Sequence, residues 1–172
     1  MHMIIVLMGV SGSGKTVVGR ELAQQLGWAF VDGDDLHPAE NVEKMARSEP
    51  LNDADREPWL RTLMEIIHDL CGKGISIVLA CSALKESYRQ KLRSAAECVE
   101  YVHLTGSPEL IAERLSRRQG HYMPPSLLKS QFDTLEMPED ALEIDVAPPP
   151  PKIAEEIRRH FHLGESDIWL ES

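Results

Sequence analysis

Gly9-Val10-Ser11-Gly12-Ser13-Gly14-Lys15-Thr16 is the stretch on which the reading of the fold turns. It fits the pattern GxxxxGK[ST]. Just upstream, residues 3–8 form an unbroken apolar run, the mark of a strand buried on both faces. Just downstream, Val18, Leu22 and Leu26 fall on one helical face, and Gly27 supplies a stop. A glycine-rich turn between a buried strand and an amphipathic helix is the setting that separates a phosphate cradle from a chance loop. The glycines let successive backbone N–H groups converge on phosphate oxygens, and the helix adds its positive end. In that arrangement Lys15 reaches the β- and γ-phosphates and the Thr16 hydroxyl holds Mg²⁺. Residues 9–16 are therefore expected to bind a nucleotide.

Moving outward, strand and helix patterns alternate. Further strands are expected at residues 28–32, 75–81, 99–104 and 141–146. Helices are expected at 38–45, from Asp53 to about Leu70, and at 86–95, 107–118, 126–132 and 152–161. Asp53 is the expected cap of the long helix, whose apolar face is Trp59, Leu63, Ile66, Ile67 and Leu70. Met45, Met64 and Trp59 read as core residues. The alternation predicts an α/β fold, a parallel sheet of about five strands covered on both faces, in one domain over residues 1–172. Ligands of such sheets bind outside the carboxyl ends of the strands. That rule directs attention to residues 9–16, 32–37, 81–85, 105–107 and 146–148.

Composition sets the limits. Of 172 residues, 42% are hydrophobic and 11 are glycine, enough for a real core. No apolar run approaches the ~18 residues of a membrane span, and the apolar start lacks the basic leader of a signal peptide. Eighteen basic against twenty-eight acidic side chains give a net charge of −10. So acidic a chain is a poor partner for nucleic acid or an anionic membrane, both of which need a basic face. Cys71, Cys81 and Cys98 are odd in number and lack CxxC spacing. That spacing argues against a disulfide framework or a zinc site and fits a reducing cytoplasm.

The second expected strand ends in Asp32, with Asp34 two residues on. One carboxylate can order the Mg²⁺ waters while the other takes a proton from a substrate hydroxyl. Asp-Gly-Asp-Asp is also an ordinary polar turn, and the phosphate loop beside it favours the functional reading. No Asn-Lys-x-Asp guanine-reading sequence occurs. Arg56 lies in Asp53-Ala54-Asp55-Arg56-Glu57-Pro58-Trp59-Leu60, and Lys85 and Arg89 follow the third strand. Arg114 and Arg118, four apart, share a helical face just before the break at residues 120–125. That pair suggests a phosphate-clamping lid over about residues 114–135, which keeps water from the γ-phosphoryl group. His37 and His121 each flank an expected loop site.

Beyond the loop, Asp32-Gly33-Asp34-Asp35-Leu36-His37-Pro38, Asp53-Ala54-Asp55-Arg56-Glu57-Pro58-Trp59-Leu60, Cys81-Ser82-Ala83-Leu84-Lys85 with Tyr88-Arg89, and Gly120-His121-Tyr122-Met123 leading to Ser130-Gln131-Phe132 together resemble the small gluconokinases, P-loop kinases related to shikimate kinase. The resemblance spans roughly residues 3–138. It implies a nucleoside-monophosphate-kinase-like fold with a helical lid, ATP-dependent formation of 6-phosphogluconate from D-gluconate, and often a homodimer. It implies Asp34 as base, Asp32 as ligand of a Mg²⁺-bound water, and Arg56, Lys85 and Arg89 as gluconate contacts. Lys15 and Arg118 join Asp34 as catalytic groups, His37 and His121 join the substrate contacts, and the adenine lies near Val146 and Pro148. Ser48 stands where the family has glycine. A sibling kinase for shikimate or another sugar acid is the nearest alternative; a nucleotide switch or assembly ATPase is the more distant one.

Overall fold

The computed structural model describes residues 1–118 and 125–164. Five strands, β1 (Ile4–Met8), β2 (Ala29–Asp32), β3 (Ile77–Ala80), β4 (Val99–Thr105) and β5 (Leu142–Asp145), form one sheet in the order β2-β3-β1-β4-β5. Every pairing is parallel. Between them run α1 (Lys15–Leu26), α2 (Ala39–Ala46), α3 (Asp53–Gly72), α4 (Glu86–Ala95), α5 (Pro108–Ser116) and α6 (Pro125–Thr134), with a 3-10 turn at Gly33–Leu36, and α7 (Pro150–His160) follows β5.

Side chains alternate across a strand, so the apolar run of β1 feeds two cores. Ile5 and Leu7 pack with Val78 and Val102 against Val18 and Leu22 of α1 and Ile153 and Ile157 of α7. Ile4, Val6 and Met8 pack with Leu79 against Trp59, Leu60, Leu63 and Ile67 of α3 and Leu92 of α4. Each of these fully buried aliphatic side chains contributes about 1.5–3 kcal/mol of transfer free energy. Layers on both faces leave only the strand ends open for chemistry.

Several expectations shift. The cap of α3 is Asn52, one residue earlier than expected: its side chain accepts from the Asp55 N–H while the Asp55 carboxylate accepts from the Asn52 N–H. Asp53 is thereby released to face α4. The third strand is shorter than expected because Ile75 stays 42% exposed. Met45 is not core; it is 40% exposed and borders the cavity described below. Ser48 adopts φ 58, the left-handed region where a β-carbon costs roughly 1–2 kcal/mol and glycine does not.

Cysteine spacing misleads most. Cys71, at the end of α3, and Cys98, just before β4, are joined as a disulfide, and Cys81 is free and buried. The two are 27 residues apart in sequence. They meet because α3 runs back to the amino-terminal edge of the sheet, where β4 begins; no local motif records that meeting. Among the described residues no helix is long and apolar enough to cross a membrane.

Candidate active site

β1 lies between β3 and β4. The chain departs from it toward opposite sides, which opens a crevice at its carboxyl end. Residues 9–14 fill that crevice and lead directly into α1. Gly12 has φ 82, and a β-carbon there would come within 2.7 Å of Leu115, so the loop geometry demands glycine. Lys15 Nζ donates to the carbonyls of Gly9 at 2.9 Å and Val10 at 3.0 Å, and so bridges the loop from below. Burial pushes the Lys15 ammonium below its ordinary value, against the opposing charges of Asp34 and Asp32. Arg118 is near enough to add to the downward push.

The end of β2 is tied to this loop. The Thr16 hydroxyl donates to one oxygen of Asp32 at 3.1 Å, and the other oxygen accepts from the Asp34 N–H at 3.0 Å. That second bond caps the 3-10 turn. Gly33 lets the turn lie against β3, since a β-carbon there would meet the Ala80 carbonyl at 2.6 Å. Trp59 Nε1 donates to the Gly33 carbonyl at 2.7 Å and fixes the turn from the α3 side. Asp34 opens to solvent on one side and is crowded by protein on the others. The crowding raises its carboxyl above the ordinary value; Lys15 opposes this, and Asp32 and Asp35 reinforce it.

A cavity of about 420 Å³ lies between the phosphate loop and α3. Ser11, Asp34, His37, Arg56, Lys85 and Gln131 line it. His37 stacks on Trp59 with ring centroids 4.4 Å apart. Asn41 Nδ2 donates to His37 Nδ1 at 3.1 Å, so that nitrogen is the acceptor and Nε2 carries the hydrogen. Burial, with Arg56 nearby, lowers His37 to about 4. The imidazole is therefore neutral at pH 7 and serves as a donor without charge. Lys85 Nζ is 2.9 Å from Asp53, and the Tyr88 hydroxyl also donates to Asp53. Arg56 donates to the Leu51 carbonyl at 2.7 Å and lies over the Tyr88 ring. The lining thus carries the Asp34 carboxylate, the cations Arg56 and Lys85, and Asp53 paired with Lys85.

Arg89 is not brought to this cavity. Its side chain is fully buried, and it donates to the carbonyls of Ala83 at 2.7 Å, Leu84 at 3.1 Å and Glu136 at 2.8 Å, with Glu86 as its counter-ion. Ala83 is held at φ 45, so Arg89 clamps a strained loop that presents Ser82 and Lys85. Replacing it with methionine leaves buried carbonyls unpaired. We expect Arg89→Met to lose roughly 3 kcal/mol or more of stability, read as a lower melting temperature. Arg114 donates to the Val146 carbonyl at 2.6 Å, which joins two expected nucleotide-side residues, and Pro148 is exposed beside them. His121 and the middle of the expected lid lie outside the described residues.

The sequence offered no site role for Gln131, Asp53, Tyr88 or Ser82. Gln131 carries the sharpest contacts: its Oε1 accepts from the Ser11 N–H at 2.6 Å, and its Nε2 donates to Ser11 Oγ at 3.0 Å. It lies 120 residues from Ser11. The available signal was its position in the Ser130-Gln131-Phe132 segment.

A phosphate loop at the switch point, with the Asp34 carboxylate close to Lys15 and a cavity lined by charged and polar side chains beside it, marks the class: a P-loop kinase. Known proteins agree. A family model described as an AAA domain matches residues 4–138. A gluconokinase of Gluconobacter oxydans is 48% identical over 164 residues, covering 94% of this chain and 92% of that one. The thermoresistant gluconokinase of Escherichia coli is 45% identical, covering 86% and 87%. The crystal structure of a gluconokinase from Sinorhizobium meliloti superposes with a TM-score of 0.82 at 46% identity, covering 90% and 88%. A shikimate kinase from Acinetobacter baumannii, 18% identical with a TM-score of 0.58 over 94% of each chain, shares the fold alone. The chain belongs to the gluconokinase family.

Proposed function

We propose that this chain transfers the γ-phosphoryl group of ATP to the terminal hydroxyl of D-gluconate, giving ADP and 6-phospho-D-gluconate. The observation that carries the reading is the single cavity lined together by Asp34, Arg56, Lys85 and Ser11 of the phosphate loop. An open-chain polyol carboxylate has no ring to stack and needs polar walls with positive charge at one end. Arg56 and Lys85 supply that charge, and a guanidinium matches a carboxylate in shape. His37 donates to a substrate hydroxyl through Nε2, and His121 is assigned to the same substrate. Asp34 aligns the terminal hydroxyl and accepts its proton. Because the transition state of phosphoryl transfer is loose, alignment and charge do most of the work.

Residues 9–16 hold the triphosphate, with Lys15 on the β- and γ-phosphates. The Thr16 and Asp32 oxygens, which already meet at 3.1 Å, are the hard donors that suit Mg²⁺. They would hold that ion, directly and through water, and when bound it neutralises charge on the β- and γ-oxygens. Residues 114–135 act as the lid, with Arg114 and Arg118 on the phosphates and Arg118 supporting transfer. The adenine lies toward Val146 and Pro148. The same reading takes residues 1–172 as one catalytic unit, working in the cytoplasm as a homodimer.

Gln131 belongs to the machinery as a positioning residue, since it fastens α6 to Ser11 at the seam between donor and acceptor. Gln131→Ala should lower kcat/KM for gluconate by about 10–10²-fold, the cost of a small misplacement of reacting groups. Unchanged kinetics would remove it from the site.

A coupled ADP-release assay with gluconate, shikimate and related sugar acids tests the whole proposal. Rapid ADP release with gluconate, and a product phosphorylated at C6, is the expected result. Release only with another acid would reassign the substrate, and release independent of any acceptor would make the protein an ATPase.

A further inference from the structure

The edge of the sheet opposite the phosphate loop carries a second group of reactive side chains that the kinase reaction does not use. Cys71 Sγ, Cys98 Sγ and a ring nitrogen of His2 lie within 4.8 Å of one another. Among the described residues this is the one His/Cys/Asp/Glu group so arranged. All three border a shallow depression shared with His68 and Glu97. The backbone holding them is fixed. The Met3 N–H donates to Ser76 Oγ at 3.0 Å, and the Ile4 N–H donates to the Cys98 carbonyl at 2.8 Å, so the segment after His2 is pinned beside Cys98. His68, one turn before Cys71 on α3, has its Nδ1 3.2 Å from the Ala95 carbonyl. A neutral ring donating there keeps its Nε2 lone pair for another partner.

Two thiols and an imidazole around one point are the ligand set of a thiophilic divalent cation. Zinc–sulfur bonds run near ~2.3 Å and zinc–nitrogen bonds near ~2.0–2.1 Å. Two zinc–sulfur bonds at a tetrahedral angle span about 3.8 Å, so once the S–S bond is reduced, side-chain rotations bring all three donors, already within 4.8 Å, onto one ion. In a reducing compartment, glutathione and thioredoxin keep cysteines as thiols. We propose that the reduced chain binds one zinc ion through Cys71, Cys98 and His2, with water or His68 as the fourth ligand, and that the Cys71–Cys98 disulfide is the oxidised, zinc-free form of the same site.

The chemistry balances. Binding releases two thiol protons as the thiolates take the ion. With a peroxide as oxidant, the two thiolates give up two electrons and form the S–S bond. Both Zn–S bonds break, and the peroxide O–O bond takes the electrons and two protons to leave two waters. One Zn²⁺ is released for each disulfide formed.

The test uses the full, untagged chain, since a tag would alter the surroundings of His2. Protein reduced with a phosphine is titrated with zinc against a chromophoric chelator, and cobalt replaces zinc for spectroscopy. One equivalent should be retained, with a thiolate-to-cobalt charge-transfer band. Hydrogen peroxide should release that equivalent as the disulfide forms. Cys71→Ser and Cys98→Ser should abolish retention, and His2→Gln should weaken it by about tenfold or more. All three variants should phosphorylate at the wild-type rate, because the site lies at the far edge of the sheet. Failure of the reduced wild type to retain zinc, or retention unchanged in Cys71→Ser or His2→Gln, would overturn the proposal. None of these outcomes depends on which acid the kinase uses.

Discussion

Lys15→Ala should leave a folded chain with no measurable turnover. Gluconate-dependent ADP release is expected to fall by at least about 10³-fold, the scale set by losing a charged group aimed at the transition state. Lys15 Nζ now bridges the Gly9 and Val10 carbonyls. Its removal frees both carbonyls and, in the proposed mechanism, takes away the cation on the β- and γ-phosphates. The ammonium is held partly desolvated, which makes its field strong where charge develops. A circular dichroism melt checks that the fold survives, and a single-turnover assay isolates the chemical step. Single-turnover transfer at the wild-type rate would mean that the loop does not hold the reacting phosphate.

Asp34→Asn is the second large effect. It keeps the shape of the side chain and removes its capacity to accept a proton, so kcat should fall by about 10²–10⁴-fold. The pH profile adds a separate check. Crowding raises the Asp34 carboxyl above its ordinary value, and Lys15 only partly offsets that. In the proposed mechanism the active form is the carboxylate, so kcat should drop as pH falls through this raised value. The acid limb should therefore begin at higher pH than for an exposed aspartate, and it should vanish in Asp34→Asn. Full activity in that variant would reassign the base. His37 gives a contrasting sign. Its folded value of about 4 lies below the ordinary 6.5, so the fold favours the neutral ring. That contribution is complete above about pH 6.5 and is lost as pH falls toward 4.

The parts of this molecule that were legible in the sequence are those written locally. The β1 run, the glycine loop and the α1 stripe are contiguous, and their periods differ enough to tell strand from helix. Asp32 and Asp34 were legible because a strand that ends beside a phosphate loop must deliver its next residues to the same crevice. Arg89 was not legible. Its burial depends on how α4 rolls against the sheet and on a carbonyl at Glu136, 47 residues away. A cation near a strand end looks the same in sequence whether it faces ligand or clamps backbone. Gln131 reaches Ser11 only once α6 has packed, and the Cys71–Cys98 meeting follows from the register of β4 beside β1. Contacts between distant segments are set by how whole elements dock, and no short window records them.

Asp32 touches the donor side through Thr16 and the acceptor side through the Asp34 amide, one oxygen for each. With the roles proposed above, a single carboxylate would act as a yoke between the two halves of the reaction. An ion that drew its first oxygen toward the nucleotide would also pull on the turn that carries Asp34. Loading of one half and aiming of the other would then be a single mechanical event, without a signal travelling through the rest of the protein.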